Sequence, residues 1–513
     1  MDERKSASNA RKGSVPMKKY VEPAKTLPVR RYDVVVAGGG TAGVVAAIAA
    51  ARNGAKTVLI EAKGYVGGTM LEGGTTLHSF FTLGKYFARE SRQIVKGIAQ
   101  EIIDRLVAVG GSTGHLMDEV GIDYDEHCTL IDVESYKLVA AQMLQEAGVS
   151  IYFNSLVADA DVKDGHINGI IVQSRVEGRL YIEAKAFIDA TGWGDLSAYA
   201  GAAYVEPKEY SVANSVGIAG IDIEKYTQYL KDNNALSGIT YGPRDGNPDQ
   251  IVRVGAPFHR VLSTLMKAHN YGTSSAGEET RNAQTMLGKD VENKIPLEVQ
   301  RKIASLALTL GFTTMHDDYF MYLKLNYVMK QGVTSQEEMT KAEITLRQRQ
   351  KQAIDLLREY IPGCEKAFIA RTSPTLCTRR GRSVICDYDI SNDDILVGRH
   401  FDDDIAYFGF HDCAPKMHVG GDGSYGIPLR AILVKDIDNL FAVGMMISTD
   451  YYAYMSTRNT VSCMAQGQAA GTCAALAVKN NQLPRLVPYA ALKEQLIQDG
   501  VYLADLEPPK ERG

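Results

Sequence analysis

The chain lacks the features that mark several large classes of protein. It has a single tryptophan and only seven cysteines, and no two of the cysteines form a CxxC pair. The odd number and wide spacing of the cysteines argue against a disulfide framework and against a zinc or iron–sulfur ligand set. We therefore expect no metal site, and reduced thiols such as a cytoplasmic protein keeps.

Long apolar runs and long basic runs are also missing. The apolar run that begins at Gly43 is broken at Arg52, well short of the roughly 18 residues that cross a bilayer. Residues 1–30 contain no apolar segment of the kind that a secretory signal needs. The formal net charge is −5, and no basic stretch is interleaved with aromatic residues. We expect no membrane and no nucleic acid as partner; the oligomeric state is left open, with a homo-oligomer as one alternative.

What the chain does have, near its start, is the pattern of a βαβ unit. Residues Asp33 to Ala37 are a β-branched run typical of a parallel strand that is buried on both faces. An alanine-rich helix is predicted from Thr41 to Asn53, and a second short strand from Thr57 to Ile60. Strand, helix and strand in this order predict an α/β fold.

Glycines occupy the turn between the first strand and the helix. Residues 38–43 read GGGTAG, a GxGxxG fingerprint made of Gly38, Gly40 and Gly43, with Thr41 and Ala42 between them. The first glycine permits a tight turn, the second lets the backbone approach a pyrophosphate, and the third lets helix and strand touch. Glu61 ends the next strand, 18 residues after Gly43, where it can accept hydrogen bonds from an adenosine ribose. The unit predicts dinucleotide binding.

Two later segments favour FAD over a nicotinamide cofactor. Residues 190–195 read ATGWGD and again follow a predicted strand, Ala186 to Ala190. Residues 439–444 read NLFAVG, a strand that ends in Gly444, and a helix of small residues is predicted from Thr457 to Lys479. Each segment alone is compatible with an ordinary strand-capping turn. Together, and in this order, they indicate backbone passing close to an extended cofactor.

These segments resemble the FAD-dependent oxidoreductase family of the glutathione-reductase-like flavoproteins, which is related to the fumarate reductase flavoproteins and to the flavin subunit of heterodisulfide reductase. The resemblance covers roughly residues 30 to 480 and rests on YDVVVAGGGTAGVVAAIAAARNGAKTVLIEAKGYVGGT, on AKAFIDATGWGDLSAYAGA, and on DNLFAVGMMIS followed by STRNTVSCMAQGQAAGTCAALA. It implies a Rossmann-type FAD-binding domain with a parallel sheet and a β-meander, together with a second α+β substrate or cap domain.

The resemblance also implies which residues line the cofactor. Val157 would contact adenine through its backbone, Gly444 would approach the pyrophosphate, and the helix that begins near Ser456 would point its N-terminus at the flavin. The remaining cofactor residues that the resemblance and the fingerprints assign are Lys63, Gly67, Gly68, Thr69, Ala190, Thr191, Gly192, Asp195 and Thr457.

The coarse pattern predicts how these segments are arranged along the chain. A loose N-terminal tail covers residues 1–30, and the FAD-binding domain is formed by residues 31–204 and 373–480. Residues 205–372 form the substrate or cap domain, with helices predicted at Leu297 to Leu310 and Glu337 to Tyr360. A C-terminal extension covers residues 481–513. Within the first segment we predict helices at 86–109 and Glu134 to Ala147, and a meander of three strands at Ser150 to Phe153, His166 to Gln173 and Arg179 to Ala184.

Candidates for catalysis lie near the predicted flavin, at positions where the chain departs from the family. Trp193 stands where many relatives have an aspartate, and Tyr451 and Tyr454 stand where relatives often have histidines. The two tyrosines could move a proton, and Arg458 could hold an anionic or carbonyl oxygen. Aromatic packing and an ordinary ion pair are the alternatives.

Three further residues are candidates with equally plain alternatives. His78 lies in a glycine-rich loop and is a candidate acid, base or site of covalent flavin attachment, or a histidine without a role. Arg379 and Arg382 could bind a carboxylate substrate, or could be solvated surface residues. His411 and His418 are seven residues apart, which fits no standard metal pattern.

The function expected from these residues is hydride transfer between a small organic substrate and flavin N5. Two alternatives stay open. One is a flavin-bearing electron-transfer subunit of a larger redox complex, against which the missing cysteine clusters count. The other is a tRNA-binding or non-catalytic flavoprotein, which the acidic charge balance opposes.

Overall fold

The structure is a computed structural model. It describes residues 20–73, 76–79, 81–83, 91–118, 120, 126–207, 210–236, 238–256, 294–306, 308, 310–329, 335–411 and 417–503. The predicted tail lies mostly outside these ranges, as do Cys413 and the last ten residues of the predicted C-terminal extension.

The strands are, in chain order, β1 (Val29–Arg31), β2 (Val34–Ala37), β3 (Thr57–Ile60), β4 (Leu77–Ser79), β5 (Thr82–Leu83), β6 (Arg92–Gln93), β7 (Ser112–Met117), β8 (His127–Ile131), β9 (Ser150–Tyr152), β10 (Ser155–Lys163), β11 (His166–Ser174), β12 (Gly178–Glu183), β13 (Ala186–Asp189), β14 (Tyr204–Val205), β15 (Tyr210–Ala219), β16 (Gly238–Arg244), β17 (Asn247–Gly255), β18 (Phe312–Thr313), β19 (Tyr319–Met329), β20 (Phe368–Thr372), β21 (Cys377–Thr378), β22 (Ser383–Val384), β23 (Asp404–Phe408), β24 (Tyr425–Pro428) and β25 (Leu440–Ala442).

The α-helices are α1 (Thr41–Arg52), α2 (Thr69–Glu72), α3 (Ile98–Ala108), α4 (Val133–Glu146), α5 (Asp195–Tyr199), α6 (Ile223–Asp232), α7 (Leu297–Ser305), α8 (Gln336–Tyr360), α9 (Asn392–Val397), α10 (Tyr451–Thr457), α11 (Thr460–Lys479) and α12 (Tyr489–Gln498). Short 3₁₀ turns lie at Leu429–Ala431 and Pro484–Leu486.

A five-stranded parallel sheet carries the predicted βαβ unit. Its strand order is β25-β13-β2-β3-β9, and every neighbouring pair runs parallel. All residues of β2, β3 and β13 are buried, as expected for strands that are covered on both faces. The carboxyl ends of β2, β13 and β25 therefore lie side by side, and each leads into one of the three glycine-containing segments.

One of the three strands assigned to the meander belongs to this parallel sheet instead. Ser150–Tyr152 pairs in parallel with β3, because helix α4 precedes it and a strand that follows a crossover helix returns parallel to its neighbours. The meander consists of β10, β11 and β12, and β1 extends it by pairing in parallel with β12. Val29 and Arg30, the end of the predicted tail, are thus part of a strand.

Two predicted helices also start later than the sequence pattern suggested. The helix predicted at 86–109 begins at Ile98, and the short strand β6 precedes it; its predicted start at 86–90 lies outside the described residues. The helix predicted from Thr457 to Lys479 begins at Thr460 as α11, and the separate helix α10 ends at Thr457, with Arg458 and Asn459 between the two. Helix α7 ends at Ser305, five residues before the predicted end at Leu310.

A second hydrophobic core lies between residues 212 and 376. An antiparallel sheet in the order β19-β15-β20, with β21 also paired to β15, packs with helices α6, α7 and α8. A separate three-stranded sheet, β16-β17-β18, completes this region. We refer to residues 210–376 as the second region; the domain boundaries expected at 204, 372 and 480 stay predictions.

The two long helices over the parallel sheet touch through their backbones. A Cβ atom at Gly467 of α11 would collide with the carbonyl oxygen of Ala42, and one at Gly471 with that of Ala46, both on α1. Buried alanines fill the rest of this contact. Small residues therefore set the distance between α1 and α11 and let the C-terminal segment pack closely against the first βαβ unit.

None of the helices in the described ranges is long and apolar enough to cross a membrane.

Replacing Gly471 by alanine tests the close approach of the helices. Alanine normally stabilises a helix interior by about 1 kcal/mol relative to glycine, but here its methyl group meets the Ala46 carbonyl. We expect the free energy of unfolding in urea to fall by about 2 kcal/mol or more. Gly64→Ala is the control, because its Cβ would come no closer than 3.8 Å to Asn154. A stabilised Gly471→Ala protein would contradict this packing.

Candidate functional site

The glycine fingerprint forms the turn between β2 and the N-terminus of α1. Gly38 has φ +99°, and a Cβ there would collide with the carbonyl of Ala190 at the end of β13. A Cβ at Gly43 would collide with the Gly38 carbonyl. The first and third glycines are therefore required by the protein's own packing.

The middle glycine is different, because none of the described residues excludes a side chain there. Gly40 is the N-cap of α1 with φ −66° and ψ 179°, which any residue adopts. A Cβ on Gly40 would have only the Ala190 carbonyl near it, at 3.8 Å. The open space in front of Gly40 faces the unpaired N–H groups at the start of α1, which is a suitable place for a phosphate group.

A second glycine pair closes one side of this space. The N–H of Gly67 donates to the Gly39 carbonyl at 2.8 Å, and a Cβ on Gly68 would meet the Cα of Gly40 at 2.8 Å. Thr69 begins helix α2 directly after them. The structure thus brings Gly67, Gly68 and Thr69 together with the fingerprint; that they line the cofactor stays a prediction.

Glu61 holds the glycine loop from below. Its carboxylate accepts hydrogen bonds from the N–H of Gly39 at 2.6 Å and of Lys63 at 2.8 Å. Burial raises the pKa of Glu61, and these two backbone bonds oppose the rise. Each oxygen keeps a further lone pair that a ribose hydroxyl could use. The Lys63 ammonium forms an ion pair with Glu72.

The second fingerprint is organised by a carboxylate that the sequence reading missed. Asp189 is fully buried and accepts four hydrogen bonds, from the N–H and hydroxyl of Thr191 and from the N–H and hydroxyl of Ser197, at 2.7 to 3.1 Å. Burial raises the pKa of Asp189. The Thr191 hydroxyl accepts in turn from the N–H of Asp195. In the sequence, the signal for this residue was an aspartate at the end of a predicted strand, directly before Ala-Thr-Gly.

Gly192 and Ala190 bring this turn against the other two segments. Ala190 donates its N–H to the Ala37 carbonyl at 2.8 Å, and a Cβ on Gly192 would meet the side chain of Met445. The Asp195 carboxylate is occupied by an ion pair with Arg382 at 2.8 Å.

Another missed residue positions the third segment. The N–H of Gly444 donates to the side-chain oxygen of Gln466 at 2.8 Å, and the amide nitrogen of Gln466 donates to the Thr457 carbonyl at 3.1 Å. Gln466 lies on α11 and is fully buried. The hydroxyl of Ser456 is shared with Tyr425 and with the Phe410 carbonyl. The two glutamines, Gln466 and Gln468, in a helix of mostly small and apolar residues were the signal in the sequence.

Val157 lies in the meander, as predicted, on strand β10. It pairs with Val172 of β11, and the register shifts directly after it, between Val157 and Asp159. This bulge interrupts the regular pairing at the point where a backbone contact to adenine was predicted.

The tyrosine and arginine candidates meet on α10. The guanidinium of Arg380 lies over the ring of Tyr454 at 4.4 Å and near that of Tyr451 at 5.1 Å, and the guanidinium of Arg458 is 5.7 Å from the Tyr454 ring. Burial raises the pKa of Tyr454 well above its usual range, and Arg458, Arg380 and Arg379 oppose the rise. Arg380 was not among the candidates, although it stands beside Arg379.

The two arginines predicted to bind substrate, Arg379 and Arg382, have different interactions in the structure. Arg382 pairs with Asp195 and donates to the Trp193 carbonyl at 2.9 Å, so that its charge is used within the fold. Arg379 is next to Arg380 in the sequence, and its charge opposes the rise in the pKa of Tyr454. Thr378, directly before it, accepts a hydrogen bond from the Trp193 indole at 2.7 Å.

The histidine candidates are placed as follows. His78 is a strand residue of β4 rather than a loop residue, paired with Thr129 of β8, and only 5% exposed. His411 is buried and bonds to the Asn392 side chain at 3.0 Å. Among the described residues, no group of three or more histidines, cysteines and carboxylates could hold a metal ion.

Comparison with known proteins gives the family. Residues 33–496 match the family model described as FAD dependent oxidoreductase. This span includes all three glycine segments and the whole second region. FAD is thus the cofactor, and the open space at Gly40 with the glycine pair beside it fits the pyrophosphate of such a group.

Curated relatives cover a smaller part of the chain. The thiamine thiazole synthase of Pyrococcus horikoshii is 28% identical over 172 residues, which are 32% of this chain and 58% of that protein. The enzyme of the same name from Methanothermobacter thermautotrophicus is 30% identical over 177 residues, with the same 32% and 58% shares. The match thus spans a little more than half of the length of these relatives.

Solved structures are similar over a longer stretch but at low identity. A geranylgeranyl bacteriochlorophyll reductase-like protein of Thermoplasma acidophilum is 12% identical, with 92% of this chain and 83% of that chain covered and a TM-score of 0.42. GidA of Aquifex aeolicus is 16% identical, with 88% and 64% covered and a TM-score of 0.42.

Substitution of Gly40 separates the needs of the cofactor from those of the fold. We expect Gly40→Ala to leave the apoprotein's free energy of unfolding within about 0.5 kcal/mol of the original, because the methyl group has room. FAD affinity should fall at least about tenfold, or roughly 1.4 kcal/mol. The measurements are urea unfolding of the apoprotein and a fluorescence titration with FAD.

Gly38→Ala is the contrasting variant in this experiment. Its methyl group meets the Ala190 carbonyl, so we expect it to destabilise the apoprotein as well as to weaken FAD binding. A Gly40→Ala protein that binds FAD at full affinity would show that the cofactor does not approach this turn.

Proposed function

Because the chain belongs to the FAD dependent oxidoreductase family, we propose that it transfers a hydride between a carbon atom of a small organic substrate and flavin N5. Bound flavin supplies the two-electron acceptor or donor, while the protein supplies binding, orientation and electrostatics. When the substrate is oxidised, it loses one hydride and one proton; when it is reduced, it gains both.

The observation that carries this proposal is the group formed by Tyr454, Arg380 and Arg458. The group lies on α10 and on the segment after β21, and both are linked to glycine segments that fit FAD. Helix α10 begins seven residues after Gly444, and the Trp193 indole binds Thr378. Polar side chains beside the cofactor site are suited to orient a substrate there.

Tyr454 acts as a proton-bearing group in this proposal. Because burial raises its pKa, its phenol keeps its proton at neutral pH and serves as a hydrogen-bond donor rather than as a base. An O–H aimed at a substrate oxygen would stabilise negative charge that develops there, or deliver the proton that accompanies hydride transfer.

The second region serves as the cover of the substrate site in this proposal. It is held to the first segment by buried polar contacts, since Asp118 after β7 forms an ion pair with Arg253 of β17 and accepts from the Thr240 hydroxyl of β16. Leu130 of β8 and Val252 of β17 also belong to one buried apolar cluster. A cover fixed in this way would keep water from the reacting atoms.

Thiazole synthesis is not part of the proposal. The match to the two thiamine thiazole synthases covers 32% of this chain. About two thirds of the chain has no counterpart in that match, so the substrate is not inferred from these relatives.

The proposal is tested by anaerobic reduction of the bound flavin. The oxidised holoprotein is mixed with alcohols, amines and hydroxy acids, and the reduced holoprotein with enones and unsaturated acids, while visible absorbance is followed. We expect one class to bleach or restore the flavin colour. For that compound, Tyr454→Phe should lower the rate constant at least about 100-fold with FAD still bound.

Tyr241→Phe is the matched control, because Tyr241 is an exposed tyrosine of β16 and the same hydroxyl is removed. If no compound changes the flavin while an iron-containing protein partner reduces it, the chain is an electron-transfer subunit. If RNA is retained in a salt-sensitive way and no donor reduces the flavin, the third alternative holds.

A further inference from the structure

Arg379 and Arg380 differ from two other arginines of this part of the chain, which form ion pairs. Arg382 has Asp195 as its partner, and Arg485 has Asp387. Among the described residues, no carboxylate lies within ion-pair distance of Arg379 or Arg380. A guanidinium group without a carboxylate partner favours a bound anion.

Arg380 is also short of hydrogen-bond partners. Its side chain is half-buried against the rings of Tyr451 and Tyr454, and its Nε is buried with no hydrogen-bond partner among the described residues. The aromatic contacts cover the face of the guanidinium, so its in-plane N–H groups remain as donors. A planar edge with parallel donors matches the planar oxygen pair of a carboxylate.

Tyr454 supplies a second donor. The residue is 5% exposed, and its hydroxyl is buried without a hydrogen-bond partner among the described residues. Leaving such a group unpaired is unfavourable, and the guanidinium groups of Arg380 and Arg458 lie 4.4 and 5.7 Å from the Tyr454 ring. An O–H beside cationic groups is suited to an anionic oxygen and not to a cationic or apolar group.

The position of these residues relates them to the cofactor site. A Cβ on Gly381 would collide with the Gly192 carbonyl and would meet the Cα of Trp193 at 2.8 Å. The backbone directly after Arg380 therefore rests on the second fingerprint. An anion held by Arg380 would belong to a molecule that lies next to the flavin.

We propose that Arg379, Arg380 and Tyr454 form the subsite for a carboxylate group of the substrate, so that the substrate of the proposed reaction is an organic acid. This inference rests on the proposed function and names its substrate class. Arg380 and Tyr454 bind the carboxylate oxygens through the guanidinium edge and the phenol hydroxyl, and Arg379 adds charge. Arg382 is not part of the subsite.

The experiment measures binding rather than turnover. Oxidised holoprotein is titrated with propionate and with benzoate, and in parallel with propionamide and benzamide, their uncharged amides. Binding is followed both as a change in the visible flavin spectrum and as heat in a calorimeter. We expect at least one of the two carboxylates to bind at least about tenfold more tightly than its amide.

Variants then assign the binding to the named residues. Arg380→Gln and Tyr454→Phe should each raise the dissociation constant of that carboxylate about tenfold or more, and Arg380→Lys should recover part of the loss. Arg358→Gln is the control, because Arg358 is exposed on α8 and the same charge is removed; its dissociation constant should stay within about twofold.

Several outcomes would overturn the inference. Equal binding of carboxylate and amide, no binding of either carboxylate, or tighter binding of inorganic phosphate would each reject a carboxylate subsite, as would an unchanged dissociation constant in Arg380→Gln. If carboxylates bind as expected and no compound changes the redox state of the flavin, the proposed hydride transfer fails while the subsite stands. If flavin is reduced by an uncharged substrate and carboxylates do not bind, the reverse holds.

Discussion

The structure depends on the close approach of backbone to backbone around the fingerprint turn. Gly38 touches the end of β13, Gly43 touches Gly38, and Gly467 and Gly471 bring α11 against α1. Any larger residue at these points would separate elements that have to meet. Because the contacts are between main chains, they fix the strands' carboxyl ends, and with them the three glycine segments, with little freedom of adjustment.

Polar residues complete what the glycines begin. Asp189 ties the second turn to α5, and Gln466 ties the third segment to α11 and to the end of α10. Neither side chain is free to serve a ligand, since each satisfies buried backbone groups. They hold the turns in a fixed shape, and so they are positioning residues for the predicted cofactor site.

The sequence predicted best where local pattern and fold agree. The run DVVVA, the fingerprint and the strand before ATGWGD are all found at or within a residue or two of their predicted positions, because buried parallel strands and glycine turns have local signatures. Ser150–Tyr152 was assigned to the wrong sheet because pairing partners are not encoded locally. Arg380 was missed for a similar reason. The sequence does not show which arginine of this segment has a carboxylate partner, whereas the structure pairs Arg382 with Asp195.

The contact between α1 and α11 also has a consequence for how the chain is made. Roughly 400 residues separate the end of α1 from the start of α11, so a ribosome that adds about 5 to 20 residues per second needs roughly 20 to 80 s to supply the second helix. During that time the alanine face of α1 is not covered by α11, and β25, the edge strand that pairs with β13, has not been synthesised. The buried face of α1 therefore stays without its partner helix for that interval, and the three glycine segments meet only when synthesis is nearly finished.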